Sequence, residues 1–576
     1  MSRFRELGTK RGSALLSLAA ASVCLAPLAA NAATPACTAL AAALLANSDI
    51  IAATSVITPA AGINAAYCHV NITVSDLAGP KDGYQPGQKQ MINVGIGLPL
   101  SSIDGGSGGV QGAWNGRTEN LGGGGYAGSV GGTTSATNAG YVGSSTDTGH
   151  PASAGGTFAL NPDATLNWGL IRDFAYNGIH AQAVWTKKLT QMYYGMLPKF
   201  TYWNGCSTGG RQGHQQAQKY PNDFDGILAG APAFNWDRFI PSEQWGEIAM
   251  NQEVGAPIST AKLNAVRAAA AQACDAADGI ADGIIQDPRA CTYSATQFTC
   301  SVSSDPNCLT DQEAQAVNKI WDGPPGKQAG QQLWFGLERG TNFGGLDGTS
   351  PFSISTQWFQ YWVFRDPGFD WHTLTEQNFA GAFKDSELMF HDVIGTDNPD
   401  LSDFKKHGGK MIMYHGLNDF LIFPRGSYNY YNRVSQLQGG VKETQKFYRF
   451  FPFPSNTHCA ADVADFPNAP QINGTDLFNA LVNWVEHGVA PGDTSTTLIG
   501  YNNQNHASAT VSRPICKYPD TLVFSNPGGS GGANNAANFS CQVNTSDELI
   551  NAEKVLPDPG ASAGGDHGNG HDKDRG

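Results

Sequence analysis

Positive charge is scarce in this chain. Only 35 Lys and Arg stand against 49 Asp and Glu, a net charge of −14 over 576 residues, and no basic stripe runs along the sequence. Phosphate backbones are bound by clustered Lys and Arg, so a nucleic-acid partner is excluded. No two cysteines have C-x-x-C or comparable spacing, which argues against a structural zinc. No Gly-Lys-Ser/Thr follows the glycine-rich stretches, so there is no phosphate-binding P-loop. After the N-terminal segment no apolar run is long enough to span a bilayer, and no membrane association is expected. Internal repeats are absent, which excludes solenoids and propellers.

What is present points to an exported protein with a large core. Apolar residues make up 41%, enough for one large domain plus a second module or a big insertion. Arg3, Arg5, Lys10 and Arg11 precede an apolar run from Ala14 to Ala30, and Ala30-Asn31-Ala32 fits a small-x-small cleavage site. Residues 1–32 therefore read as a signal peptide, with a secreted or periplasmic product. Cys24 leaves with that segment. The ten cysteines that remain are an even set, expected to form five disulfides in an oxidising compartment; their spacing leaves the connectivity open. The stretch from Pro557 is Gly, Asp, His and Lys with almost no apolar residue, the composition of a disordered tail.

The most informative word is Gly205-Cys206-Ser207-Thr208-Gly209. It has the G-x-S-x-G form of a nucleophile elbow, credible only between a strand and a helix. Phe200–Trp203 reads as that strand and Gly210–Tyr220 as that helix, stopped by Pro221. Met91–Leu98, Ile227–Pro232, Lys410–His415 and Phe447–Phe453 read as further strands, and Asp173–Gly195 as a helix. Between Phe234 and about Leu401 regular β-α alternation is lost. That segment carries four cysteines, an aspartate cluster and the aromatic run Trp358–Trp362, and reads as one insertion over the strand ends, where open α/β sheets bind ligands.

A serine needs a base, and the base needs an orienting carboxylate. In the α/β-hydrolase order Ser, Asp, His, the candidates are Ser207, Asp419 and His458, each just past an expected strand. Asp403 precedes its strand, and Asp462 and Asp465 follow His458, so they compete less well. Cys206 and Cys459 sit beside the proposed nucleophile and base. Hydrogen-bond reach between Ser207 and His458 brings these neighbours close to the Cα separation that a disulfide requires, about 7 Å at most. The oxyanion would be held by backbone N–H groups of Thr208 and of the loop Gly122–Tyr126, with Gly124 or Gly125 as donor. Asp275, Asp278, Asp282 and Asp287 form an acidic loop bracketed by Cys274 and Cys291; its spacing is not that of an EF-hand, and a solvated loop and a calcium loop are both open readings.

On Gly205–Gly213 and His458-Cys459, with Trp114–Arg117, Thr146–His150, Phe224–Pro232 and His415-Gly416 to Asp419, the chain resembles the tannase and feruloyl esterase family. The resemblance implies an α/β-hydrolase core from residues 33–234 and 402–556, a lid domain at 235–401 and a tail at 557–576. It implies a Ser207–His458–Asp419 triad with a Cys206–Cys459 bridge. It further implies the bridges Cys37–Cys68, Cys274–Cys291, Cys300–Cys308 and Cys516–Cys541. A structural Ca2+ is implied on Asp275, Asp278, Asp282 and the carbonyls of Ile280 and Ile284. The expected activity is hydrolysis of feruloyl-type aromatic esters. Galloyl esters and terephthalate monoesters are the alternative substrates, and a calcium-dependent surface binding protein is the non-enzyme alternative.

Overall fold

The computed structural model describes residues 34–75, 83–327, 331–344, 351–461, 464–471 and 474–542. The expected leader, the tail and Asp462 lie outside these residues. Nine strands form the central sheet: β1 Ile50–Thr58, β2 Tyr67–Val74, β3 Ile92–Pro99, β4 Arg117–Leu121, β5 Val142–Thr146, β6 Phe200–Cys206, β7 Gly226–Gly230, β8 Lys410–Gly416 and β9 Tyr448–Phe453. Their spatial order is β1-β2-β3-β5-β4-β6-β7-β8-β9. Strands β1, β2, β3 and β5 pair antiparallel, and every pair from β5–β4 to β8–β9 is parallel.

The two halves differ in the way their pairing demands. Antiparallel β2 alternates buried with more exposed residues, whereas β7 is buried throughout and β8 nearly so. Parallel strands are covered on both faces by crossover helices. Met411 and Met413 of β8 face one layer with Tyr430, Tyr431 and Phe450. Their neighbours Ile412 and Tyr414 face the other, with Phe451, Leu481 and Trp484. This two-residue alternation carries the strand between two helical layers. The helix Gly178–Tyr194 covers the sheet near β3 and β5 and ends at Gly195, whose φ of 76° suits a left-handed cap. The predicted helix is present and begins earlier than the sequence suggests: helical backbone runs from Trp168–Arg172 through one π-helical turn at Asp173–Asn177 into Gly178–Tyr194.

Between β7 and β8 the described residues add no strand to the sheet. They form the helices Trp236–Ser242, Trp245–Glu253, Thr260–Asp275, Asp311–Asp322 and Glu376–Ile394. Their core is strongly aromatic, and Trp358, Phe359 and Trp362 are fully buried in it. Trp358 Nε1 donates to Ser386 Oγ at 2.9 Å and Trp362 Nε1 to the Gly156 carbonyl at 3.0 Å. Both indoles are thus satisfied inside the packing, and that cluster holds the insertion onto the residues around Tyr126, Phe158 and Phe174. Disulfides join Cys37–Cys68, Cys206–Cys459, Cys274–Cys291, Cys300–Cys308 and Cys516–Cys541.

Candidate active site

Ser207 stands between β6 and the helix Thr208–Lys219 with φ 64° and ψ −126°. A non-glycine residue adopts positive φ only where its surroundings enforce it. Here the Ser207 N–H donates to the Gly230 carbonyl at 3.0 Å, while its carbonyl accepts from the N–H groups of Arg211 and Ala233, each at 3.1 Å. Gly205 is a steric necessity, and Gly209 sits in a tight fit. A Cβ on Gly205 would lie 2.7 Å from the Gly209 carbonyl carbon, and one on Gly209 would lie 3.1 Å from the Gly122 Cα. Arg211, fully buried in the same helix, donates to the carbonyls of Ala175 and Phe174. It thereby ties the elbow helix to the π-helical turn at Asp173–Asn177 in the helical segment that precedes β6, and burial pushes its guanidinium down to about 9.

Asp419 lies in the turn after β8. Its Oδ1 accepts from the N–H groups of Leu421 at 2.8 Å and Ile422 at 3.0 Å. Its Oδ2 meets His458 Nδ1 at 2.8 Å and His415 Nε2 at 3.1 Å. Burial alone would raise this carboxyl, but the charge of His458 and the hydrogen bonds from both histidines outweigh it and hold Asp419 well below the usual carboxylate range. His458 moves the opposite way. Burial would lower it, and the Asp419 charge and hydrogen bond overcome this and raise it. The loops after β8 and β9 lie against each other. Asn418 N–H donates to the Asn456 carbonyl at 2.8 Å, and the approach is close enough that a Cβ on Gly416 would fall 2.4 Å from the Thr457 carbonyl oxygen. The Cys206–Cys459 bridge, with Cα atoms 6.0 Å apart, ties the His458 loop to the elbow.

The glycine loop is pinned to the elbow by three bonds. Gly122 N–H donates to the Asn204 carbonyl and Gly123 N–H to Gln212 Oε1, each at 3.0 Å, and Thr208 Oγ1 donates to the Gly125 carbonyl at 2.6 Å. Among the described residues the N–H groups of Thr208 and Gly125 have no acceptor. Asp403 lies in a short helix ahead of β8, and Asp465 is paired with Arg267 at 2.7 Å. Strained serine, buried His–carboxylate pair and two unengaged amides from different segments are the parts needed for acyl transfer.

Comparison with known proteins identifies the family. A model of the tannase and feruloyl esterase family matches residues 110–542. The chain belongs to this family. A probable feruloyl esterase of Arthroderma benhamiae is 35% identical over 492 residues, 82% of this chain and 85% of that protein. A probable feruloyl esterase B-2 of Aspergillus terreus is 36% identical over 396 residues, 66% of this chain and 72% of that protein. The crystal structure of feruloyl esterase B from Aspergillus oryzae superposes with a TM-score of 0.70 at 27% identity, covering 88% of this chain and 100% of that one. Tannin acyl hydrolase from Aspergillus niger shares the fold, with a TM-score of 0.74 at 21% identity, covering 90% of this chain and 98% of that one. The protein is therefore a carboxylic ester hydrolase with the α/β-hydrolase architecture, and its reading as a surface binding protein falls away.

The acidic loop of the esterase is folded by its own carboxylates. Asp275 Oδ1 accepts from Gly283 N–H, Asp278 Oδ1 from Ile280 N–H and Asp282 Oδ1 from Ile284 N–H, each at 3.0 Å. Asp282 Oδ2 pairs with Arg513 Nη2. Burial, then the neighbouring aspartates, raise Asp278; burial also raises Asp282, against the pull of Arg513. Among the described residues the carbonyls of Ile280 and Ile284 accept no hydrogen bond, and no three His, Cys, Asp or Glu side chains converge on one point. Crowded carboxylates and unengaged carbonyls are the oxygen donors that a hard divalent cation takes, so the donor chemistry fits calcium, with Asp282 turned toward Arg513. The loop also abuts the His458 segment: Asn468 Nδ2 donates to the Asp282 carbonyl at 2.9 Å, and Ile285 N–H to Ser455 Oγ at 3.2 Å.

Two groups beside Asp419 escape a reading of the sequence. His415 carries a signal, four residues before Asp419 at a strand end. Glu243 carries none: it comes from the helical insertion and is buried. Burial first, then the Asp419 charge, keeps its carboxyl well above the ordinary range.

Proposed function

We propose that the esterase cleaves esters of feruloyl-type aromatic acids through a Ser207–His458–Asp419 acyl-enzyme mechanism. The observation that carries the mechanism is the short His458 Nδ1–Asp419 Oδ2 contact at 2.8 Å, on a loop cross-linked to the residue before Ser207. With Nδ1 engaged, Nε2 is the nitrogen that takes the Ser207 proton. The Ser207 oxygen bonds to the ester carbonyl carbon, and the charge that develops on the carbonyl oxygen is met by the Thr208 and Gly125 N–H groups. Removing one such donor costs about 10²–10³ in kcat. Collapse breaks the bond to the alcohol, which leaves with the proton from His458. Water, deprotonated by His458, then attacks the acyl-enzyme, and the acid is released as Ser207 regains its proton.

The names of the relatives support the choice of feruloyl esters. Residues 235–401 act in this reading as the lid over the strand ends. The acidic loop holds a structural calcium through Asp275, Asp278, Asp282 and the Ile280 and Ile284 carbonyls, which would neutralise the clustered carboxylates. Residues 1–32 direct export, and no helix among the described residues is long and apolar enough to cross a membrane. The test is a hydrolysis panel of methyl ferulate, methyl gallate and a terephthalate monoester with the native chain and Ser207→Ala. Methyl ferulate should be cleaved with the highest kcat/KM and the variant should be inactive. Preference for the gallate or terephthalate ester refutes the substrate; an active variant refutes the mechanism.

A further inference from the structure

His415 is completely buried at the end of β8, yet every polar atom of its ring is engaged. Nε2 faces two acceptors, Asp419 Oδ2 at 3.1 Å and the Ile422 carbonyl at 2.9 Å. A ring nitrogen between two acceptors carries the proton. Nδ1 is then an acceptor, and Ser427 Oγ, 2.7 Å away at the start of the helix Arg425–Leu437, donates to it. The tautomer is thus fixed from behind. Its effect on Asp419 is a matter of counting. A carboxylate offers about four lone-pair sites; Oδ1 is taken by two backbone N–H groups, and Oδ2 by His458 and His415.

We propose that His415 is a positioning residue for ester hydrolysis: backed by Ser427, its Nε2–H locks the Asp419 carboxylate in the orientation that His458 requires and shares the negative charge of Oδ2 with it. The inference rests on the triad reading above. Besides the two histidines, Glu243 faces Asp419 from the insertion, and burial, then the Asp419 charge, raise its carboxyl well above the ordinary range. The charged residues on the helix behind His415 are bound elsewhere, Arg425 to Glu338 and Arg433 to Asp397. His415 is therefore the group that competes with His458 for the charge of Oδ2. Without it the full charge falls on the His458 imidazolium, which then holds its proton to higher pH.

The experiment compares the pH profile of kcat/KM for the native esterase, His415→Leu, His415→Gln and Ser427→Ala, with Asp419→Asn and Ser207→Ala alongside. Leu should lower kcat by roughly 10- to 100-fold, less than the ~10⁴-fold cost of losing the orienting carboxylate. KM should change little, and the acid limb should move to higher pH. Gln, whose amide nitrogen can stand in for Nε2–H, should restore the limb and most of kcat. Ser427→Ala should move the limb the same way by a smaller amount, and it decides the matter if the Leu variant does not fold. An unmoved acid limb in Leu, or in Ser427→Ala when Leu is unfolded, overturns the proposal, as does an equal loss in Gln and Leu. Failure of the triad reading shows separately, as activity retained by Asp419→Asn or Ser207→Ala.

Discussion

Replacing Cys206 and Cys459 together by Ala cuts the one covalent link between the elbow and the His458 loop. The residues are 253 apart in sequence. Loop-closure entropy for a bridge of this span is worth about 5 kcal/mol at 25 °C. The short bridges nested inside it, spanning 17 and 8 residues, barely shorten the loop, because the term grows only with the logarithm of length. Unfolding entropy is about 2 cal/mol/K per residue, so with roughly 500 ordered residues each kcal/mol moves Tm by about 1 °C, and the pair should melt about 5 °C lower. Catalysis should suffer more than stability. The His458 loop would still be held by the Asp419 bond and by the Asn418–Asn456 backbone contact, but nothing covalent would fix its distance from Ser207. A misplacement of about 1 Å costs on the order of 10²-fold in rate. The assay is kcat on methyl ferulate at a temperature well below both melting points, beside a thermal melt. A variant that melts about 5 °C lower yet keeps native kcat would refute the positioning argument. An unchanged Tm would refute the entropy argument.

Thr208→Val keeps the side-chain shape but removes the bond to the Gly125 carbonyl. At about 1 kcal/mol for such a bond, kcat should fall roughly 5-fold with little change in KM, Thr208→Ser should recover it, and steady-state kinetics decide. In the proposed mechanism activity needs neutral His458, whose proton Asp419 holds more tightly than usual. Rate should therefore fall as pH drops through that raised value, and Asp419→Asn should move the acid limb of kcat/KM to lower pH while cutting kcat. Asp419 itself, held low, stabilises the fold above the unfolded carboxylate value of about 3.9, and melts at falling pH should show that contribution lost as pH drops through its folded value. Chelation should lower Tm in the native esterase, and Asp278→Asn should abolish the chelator effect; a chelator-insensitive native melt would refute the calcium assignment.

The elbow was legible because it is local. Its glycines, the serine and the preceding strand are contiguous, and the backbone contact at Gly205 explains why no other residue serves there. Strands β7, β8 and β9 were equally plain, being apolar runs buried on both faces. Strands β4 and β5 were not. They read Arg-Thr-Glu-Asn-Leu and Val-Gly-Ser-Ser-Thr, and their polar side chains are buried by pairing with side chains of neighbouring strands. Asn204 Nδ2 donates to Glu119 Oε1 at 2.9 Å and Ser144 Oγ to Asn120 Oδ1 at 2.8 Å. Hydropathy cannot find a strand whose solvation is replaced by partners far away in sequence.

The same division holds for the whole protein. Sequence by itself determined the reaction class, because G-x-S-x-G, the aspartate and histidine that follow it in order, and the cysteine beside serine and histidine are each short words. Tertiary structure alone decided that Asp419 meets His458. Three of its four donors, His415, Leu421 and Ile422, are close in sequence, but His458 comes from the loop after β9 and reaches it only when β8 and β9 pair. Structure alone also set Glu243 against it from an insertion 176 residues away in the chain. A carboxylate's charge and direction depend on every dipole within a few ångströms, and those neighbours are assembled by the fold rather than by the order of residues.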